Sequence, residues 1–148
     1  MIVSRYHDIS CGHRVYGHPG KCRMLHGHNY RIHFHCAGDI THNGMVIDFS
    51  IMKATLCEFL EKMWDHRMLI WKEDPILEDL KKVSDKYDSI GSVVTVPFNP
   101  TAENMAQHLL DMVGPMLLPE NIRLVKVEVE ETRKCSATAD ACIYMEDA

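Results

Sequence analysis

The heptapeptide Cys22-Arg23-Met24-Leu25-His26-Gly27-His28 leaves this chain few ways to fold. Its histidines stand two apart, and the Asn29-Tyr30-Arg31-Ile32-His33-Phe34 that follows is strand-forming. Alternate side chains of a strand leave the same face, so one long strand over 24–38 sets the His26 and His28 imidazoles side by side. Gly38-Asp39 ends it. Gly27 has no side chain and costs nothing on the opposite face, where Arg31, His33 and His35 are exposed or meet another subunit. Residues 1–9 form a first strand running towards a Cys11-Gly12-His13 turn, close enough for His13 to pair onto the neighbouring strand. Two neutral imidazoles can hold one side of a borderline-soft divalent ion such as Zn²⁺. A His-x-His pair alone is more often incidental than metal-binding; His13 upstream and Cys22 close by favour the metal. Three histidines without an evident fourth protein ligand describe an open, catalytic site rather than a closed, structural one. A cupin-type site needs a glutamate three or four residues beyond the second histidine, and none stands there. A His-x-His metal-hydrolase barrel needs about 250 residues, far more than the 148 present.

The remaining elements follow from spacing. The segment Arg14–Lys21 holds Gly17, Pro19 and Gly20 and reads as loop. Asp48 or Ser50 caps a helix whose apolar face is Met52, Leu56, Phe59, Leu60 and Met63, and Trp64-Asp65-His66 closes it. From Arg67 to Ser92 the pattern is weak: one or two helical turns at Pro75–Leu80, otherwise loop. Val93–Val96 is a short strand, and Asn99-Pro100-Thr101 starts a second helix with proline at or near its first position. Its stripe is Ala102, Met105, Ala106, Leu109 and Met112 or Val113, until Gly114-Pro115 stops it. Over Arg123–Glu131 the apolar residues fall at 125, 127 and 129, so period two places Glu131 on the core-facing side. An acid there is costly unless paired or used. Ala141–Met145 is the closing strand. The order predicts an α+β fold over 1–148 as one domain, with two helices on one face of an antiparallel four-stranded sheet whose open edges invite pairing between subunits.

Composition narrows the function. A net charge of −5 argues against general nucleic-acid binding, and no stretch of membrane-span length or signal-peptide character is present. Six cysteines at irregular spacing, without a Cys-x-x-Cys pair, indicate free thiols in a reducing, cytoplasmic setting. Most should be small buried hydrophobes, Cys22 excepted.

Taken in order, Gly12-His13-Arg14, Cys22 to His28, Val46-Ile47-Asp48-Phe49, Asp65-His66, Pro100-Thr101-Ala102-Glu103-Asn104 and Glu131-Thr132 make the chain resemble the 6-pyruvoyl- and 6-carboxy-tetrahydropterin synthase family. Each motif is weak singly; the ordered set is specific. The resemblance implies a T-fold, a homohexamer of two trimers whose sheets close into a β-barrel, and active sites between subunits. It implies one zinc ion per subunit, held by His13, His26 and His28. Three residues separate Cys22 from His26, as in the bacterial 6-carboxy-tetrahydropterin synthases of queuosine biosynthesis, whereas animal-type pyruvoyl synthases place five there. A third branch carries glutamate in place of the cysteine. The segments between His66 and Pro100, and between Thr132 and Ile143, are longer than in compact members.

By that resemblance the substrate is 7,8-dihydroneopterin triphosphate. Cys22 is the general base, with Lys21, Arg23 and the cation favouring its thiolate; its alternative is a buried, inert thiol. His66, oriented by Asp65, is the second proton carrier; the alternative is a solvated pair at a helix C-terminus. Glu131 grips the guanidine-like edge of the pterin, or else pairs with a neighbour such as Arg133. Thr101 lines the pterin pocket or is only a cap. Arg14, Lys21 and Arg23 are triphosphate candidates through proximity in sequence. Rival functions are a synthase that stops at 6-pyruvoyl-tetrahydropterin, and a non-catalytic metal buffer built on the ten histidines.

Overall fold

Strands β1 (Ile2–His13) and β2 (His26–Ala37) pair antiparallel along their whole length in the computed structural model, which describes residues 1–87 and 91–141. The expected turn at Cys11-Gly12-His13 is therefore strand: the ladder runs on to the pairs Cys11↔His28, Gly12↔Gly27 and His13↔His26. Two glycines facing each other leave a bare patch on one side of the sheet, and Met68 lies over it, so close that a Cβ on Gly12 would meet its Cε at 2.6 Å.

Helix α1 is three consecutive segments, Phe49–Met52, a π turn Lys53–Cys57 and Glu58–Met63. Of the two candidate caps Asp48 is the one used, its Oδ1 accepting from Ser50 N at 2.8 Å. The segment read mostly as loop contains two elements, β3 (Met68–Trp71) and α2 (Leu77–Lys86). Strand β3 is only four residues of unbroken apolar character, which periodicity cannot assign. Strand β4 (Val93–Val96) follows. Helix α3 runs through Ala102–His108, a π turn Leu109–Val113 and Gly114–Leu117. Gly114-Pro115 thus does not stop it. The π turn just before has already shifted the hydrogen-bond ladder, which tolerates the missing proline N–H, and Gly114 allows close approach to Leu124. Pro100 stands outside the helix, one residue before its cap. Strands β5 (Arg123–Glu130) and β6 (Ser136–Asp140) are the last elements among the described residues. The closing strand thus precedes the expected Ala141–Met145, of which residues 142–145 lie outside those described.

Among the described residues the sheet has six strands rather than four, in the order β4-β3-β1-β2-β5-β6. Its four antiparallel strands are β1, β2, β5 and β6, the first three of them expected; β3 and β4 add on in parallel, joined through α2. Strand β1 meets β3 over two residues only, Gly12 and His13. One face carries Ile9, Cys11, Tyr30, Ile32, Phe34, Val127 and Val129, and against it pack Met52, Leu56 and Leu60 of α1 and Met105, Leu109 and Val113 of α3. The other face holds Arg31 on Asp8, and His33 with Glu128 and Glu130. No helix among the described residues is long and apolar enough to cross a membrane.

Candidate metal centre

The strand register sets His13, His26 and His28 on the helix-covered face, at the end of the sheet where α3 begins. His13 is buried, and its Nδ1 lies 2.6 Å from the Pro100 carbonyl. His26 Nδ1 lies 2.6 Å from the Met24 carbonyl. A carbonyl only accepts, so both Nδ1 atoms are donors and both Nε2 atoms present lone pairs. Those two Nε2 atoms face each other at 3.1 Å. Two lone pairs so placed repel unless a cation or an added proton sits between them. His28 Nε2 is buried without a hydrogen-bond partner; Glu131 Oε1 is 2.7 Å away, outside hydrogen-bond geometry. This donor set fits a divalent cation, which His13, His26 and His28 would hold.

Glu131 follows the last residue of β5 and turns inward, as period two requires. The turn after it is fixed by the Thr132 hydroxyl, which accepts from the N–H groups of Lys134 (3.1 Å) and Cys135 (3.2 Å). Its Oε1 is also 3.4 Å from His13 Nε2, so a fourth donor stands at the centre that the sequence left three-sided. The hydrogen-bonding interaction with His13 lowers the Glu131 carboxyl below its ordinary range against the effect of burial, and His28 and His26 add to it. Burial instead lowers the His28 imidazole, keeping it neutral and able to ligate. Proton and metal compete for these nitrogens.

Cys22 sits half-buried on a single 3-10 turn, Lys21–Arg23, and Val15 N donates to its carbonyl at 2.8 Å. Its charge acts electrostatically on Tyr30, whose hydroxyl is 3.3 Å from His13 Nε2. Cys11 is the buried, inert thiol, pushed up to about 12 by burial. Cys36 and Cys57 are buried as expected; Cys135 is exposed, because it lies in the β5–β6 turn.

Asp65 and His66 do pair, Oδ2 accepting from Nδ1 at 2.7 Å, while Asp65 Oδ1 accepts from Ser10 N at 2.9 Å. Burial raises the Asp65 carboxyl, but the Ser10 and His66 hydrogen bonds prevail and hold it low. His66 has φ +59°, a left-handed backbone that is costly for a non-glycine residue, and its ring is 82% exposed. It lines a cleft of about 940 Å³ together with His28, Tyr30 and Glu131. The Asp65–His66 pair is thus held in the cleft, its ring in solvent rather than against Cys22.

Thr101 is the cap of α3, Oγ1 accepting from Asn104 N at 3.1 Å. Arg14, one of the candidate triphosphate contacts, pairs through its Nε and Nη2 with Asp74 Oδ2 and Oδ1, at 2.7 and 2.6 Å. Lys21 is exposed, and Arg23 folds its Nη1 back onto the Pro19 and Gly20 carbonyls at 3.0 Å. The carbonyls of Pro100 and Met24, the Tyr30 hydroxyl and the Asp74 carboxylate were not foreseen. Main-chain acceptors carry no residue-type signal, and Asp74 sits in a segment without periodicity.

Fold and centre together define a T-fold protein with a three-histidine, one-carboxylate cluster at a sheet end. A 6-pyruvoyl tetrahydropterin synthase family profile matches residues 2–142, and the chain belongs to that family. A relative from Rickettsia typhi, named 6-carboxy-5,6,7,8-tetrahydropterin synthase, is 32% identical over 130 residues, covering 86% of this chain and 91% of its own. Among solved structures, an uncharacterized protein from Wolinella succinogenes superposes with a TM-score of 0.81 at 24% identity, covering 95% of this chain and 97% of its own. The 6-pyruvoyl tetrahydropterin synthase of Plasmodium falciparum follows at 0.70 and 20%, covering 94% and 96%.

Proposed function

We propose that this protein is a zinc-dependent 6-carboxy-5,6,7,8-tetrahydropterin synthase, a lyase that converts 7,8-dihydroneopterin triphosphate with loss of triphosphate and acetaldehyde. The observation that carries the reading is the cluster itself: three imidazoles with Nδ1 committed to carbonyls or Nε2 left orphaned, with Cys22 separated from His26 by three residues. The relative's name and the spacing of Cys22 from His26 support the carboxy-forming branch.

A zinc ion held by His13, His26 and His28 would supply Lewis-acid polarisation of the substrate's side-chain oxygens. Cys22 takes the proton from the side-chain carbon as general base. Asp65 fixes the His66 tautomer with Nδ1–H directed at its carboxylate, which leaves Nε2 free to carry a second proton. Glu131 accepts hydrogen bonds from the guanidine-like edge of the pterin, and the start of α3 at Thr101 flanks it. The exposure of His66 is what a site completed by a neighbouring subunit requires, so the same reading includes a hexamer of two trimers. It places the enzyme in the cytoplasm and in queuosine biosynthesis.

The test is incubation with dihydroneopterin triphosphate, with and without chelator, followed by mass analysis. Carboxytetrahydropterin plus acetaldehyde is expected. Triphosphate release without acetaldehyde makes the enzyme a pyruvoyl synthase, and several ions per chain with no turnover makes it a metal buffer.

A further inference from the structure

Asp74 is a charged group that the chemistry above does not use. Its side chain is 1% exposed and lies in the corner between β3 and α2, 60 residues along the chain from Arg14. It is held rigidly there. Its Oδ1 accepts from Ile76 N at 3.0 Å, its N–H donates to the Trp71 carbonyl at 2.9 Å, and its own carbonyl accepts from Leu77 N at 3.1 Å. Burial by itself would raise this carboxyl; the Arg14 and Ile76 hydrogen bonds outweigh it and keep it ionised.

What it grips is Arg14, the residue after the metal-cluster histidine His13. Two parallel N–H···O bonds at 2.6 and 2.7 Å fix the plane of the guanidinium, and the third nitrogen, Nη1, reaches the Arg23 carbonyl at 3.4 Å. Arg23 adjoins Cys22. On the other side of the same turn, Met24 N donates to the Lys21 carbonyl at 3.0 Å, and the Met24 carbonyl accepts from His26 Nδ1. The Cys22 turn is therefore held between a cluster imidazole and a guanidinium whose orientation is set from β3–α2.

We infer that Asp74 is a positioning residue: through Arg14 it sets where the Cys22 thiol stands relative to the three histidines. This rests on the role of Cys22 proposed above. A displacement of about 1 Å at a reacting group can cost on the order of 100-fold in rate.

The experiment compares wild-type enzyme, Asp74→Asn, Arg14→Lys and the double variant, all zinc-loaded. Expected for Asp74→Asn is a fall of about 10- to 100-fold in kcat, with KM within about threefold and zinc still near one per chain. The rate of Cys22 alkylation by iodoacetamide, mapped by peptide mass, should change at least threefold while that of Cys135 does not. Because the two residues act as one unit, the double variant should be no worse than the weaker single one. A KM rise at constant kcat, additive losses, or unchanged Cys22 alkylation would overturn the inference. Arg14→Lys keeps the buried carboxylate paired but cannot span to the Arg23 carbonyl, so it carries the test if Asp74→Asn fails to fold. Alkylation needs no turnover: a wild-type enzyme inert towards the triphosphate sinks the proposed function, while the alkylation comparison still decides the positioning.

Discussion

Gly27 is the position where packing and metal binding can be separated most sharply. A Cβ built there would lie 3.0 Å from the Cys11 carbonyl oxygen and 3.6 Å from Gly12 Cα, so β1 must give by a few tenths of an ångström. The obstacle is paired backbone rather than a side-chain end that can swing aside. Overpacking of this kind costs about 1–3 kcal/mol, offset by about 0.4–1 kcal/mol from the stiffer unfolded chain of Gly27→Ala. The net loss of about 1–2 kcal/mol corresponds to a fall of about 3–6 °C in Tm. The same parting of strands acts on the cluster, because His13 is tied to Pro100 and His26 to Met24, and their Nε2 atoms sit across the opened seam. Zinc affinity should drop about 10- to 100-fold, as for displaced supports of a metal site. Competition against a chromophoric chelator and a thermal melt read the two effects. Wild-type zinc affinity together with an unchanged or raised Tm would refute the close-approach argument.

Cys22→Ala should lose about 10²–10⁴-fold in turnover while keeping its zinc, measured by product mass analysis and metal content. Thr101→Ala removes the α3 cap and should cost about 1 kcal/mol. Thr101→Ser restores it, and a rise in KM that serine does not repair would mark a substrate contact instead. Burial holds the His108 imidazole, packed between Trp64 and Phe98, below its ordinary value against a smaller opposing pull from Asp111. A group with a depressed folded pKa contributes stability that is complete above its unfolded value near 6.5 and is lost as pH falls through the folded one. Stability should therefore decline as pH falls below about 7, and His108→Phe should make that decline shallower in denaturant titrations.

The parts of this molecule legible in its sequence are those that repeat. The period-two pattern through His26, His28, Tyr30, Ile32 and Phe34 gave β2 its inward face, and the same arithmetic turned Glu131 towards the histidines. Helical spacing marked Met52, Leu56 and Leu60 as core, and they are fully buried. Strand β3 escaped because four apolar residues have no period, and α2 because only Leu77 and Ser84 of its ten residues are buried. Gly114-Pro115 misled because a stop signal assumes an α ladder, and the ladder there is π. At the centre, residue type picked out the side chains that cluster but not their supports: two are backbone carbonyls, and the Arg14 guanidinium had a tertiary partner 60 residues away.

The hydrogen bond from His13 to the Pro100 carbonyl ties cation binding to the packing of a helix that carries no ligand. Linkage is reciprocal: whatever free energy the ion adds to the ordering of the α3 N-terminus, disorder in that helix must subtract from affinity for the ion. Substitutions deep in α3, such as at Met105 or Leu109, will therefore be felt as changes in metal occupancy by a protein whose coordinating side chains are all intact.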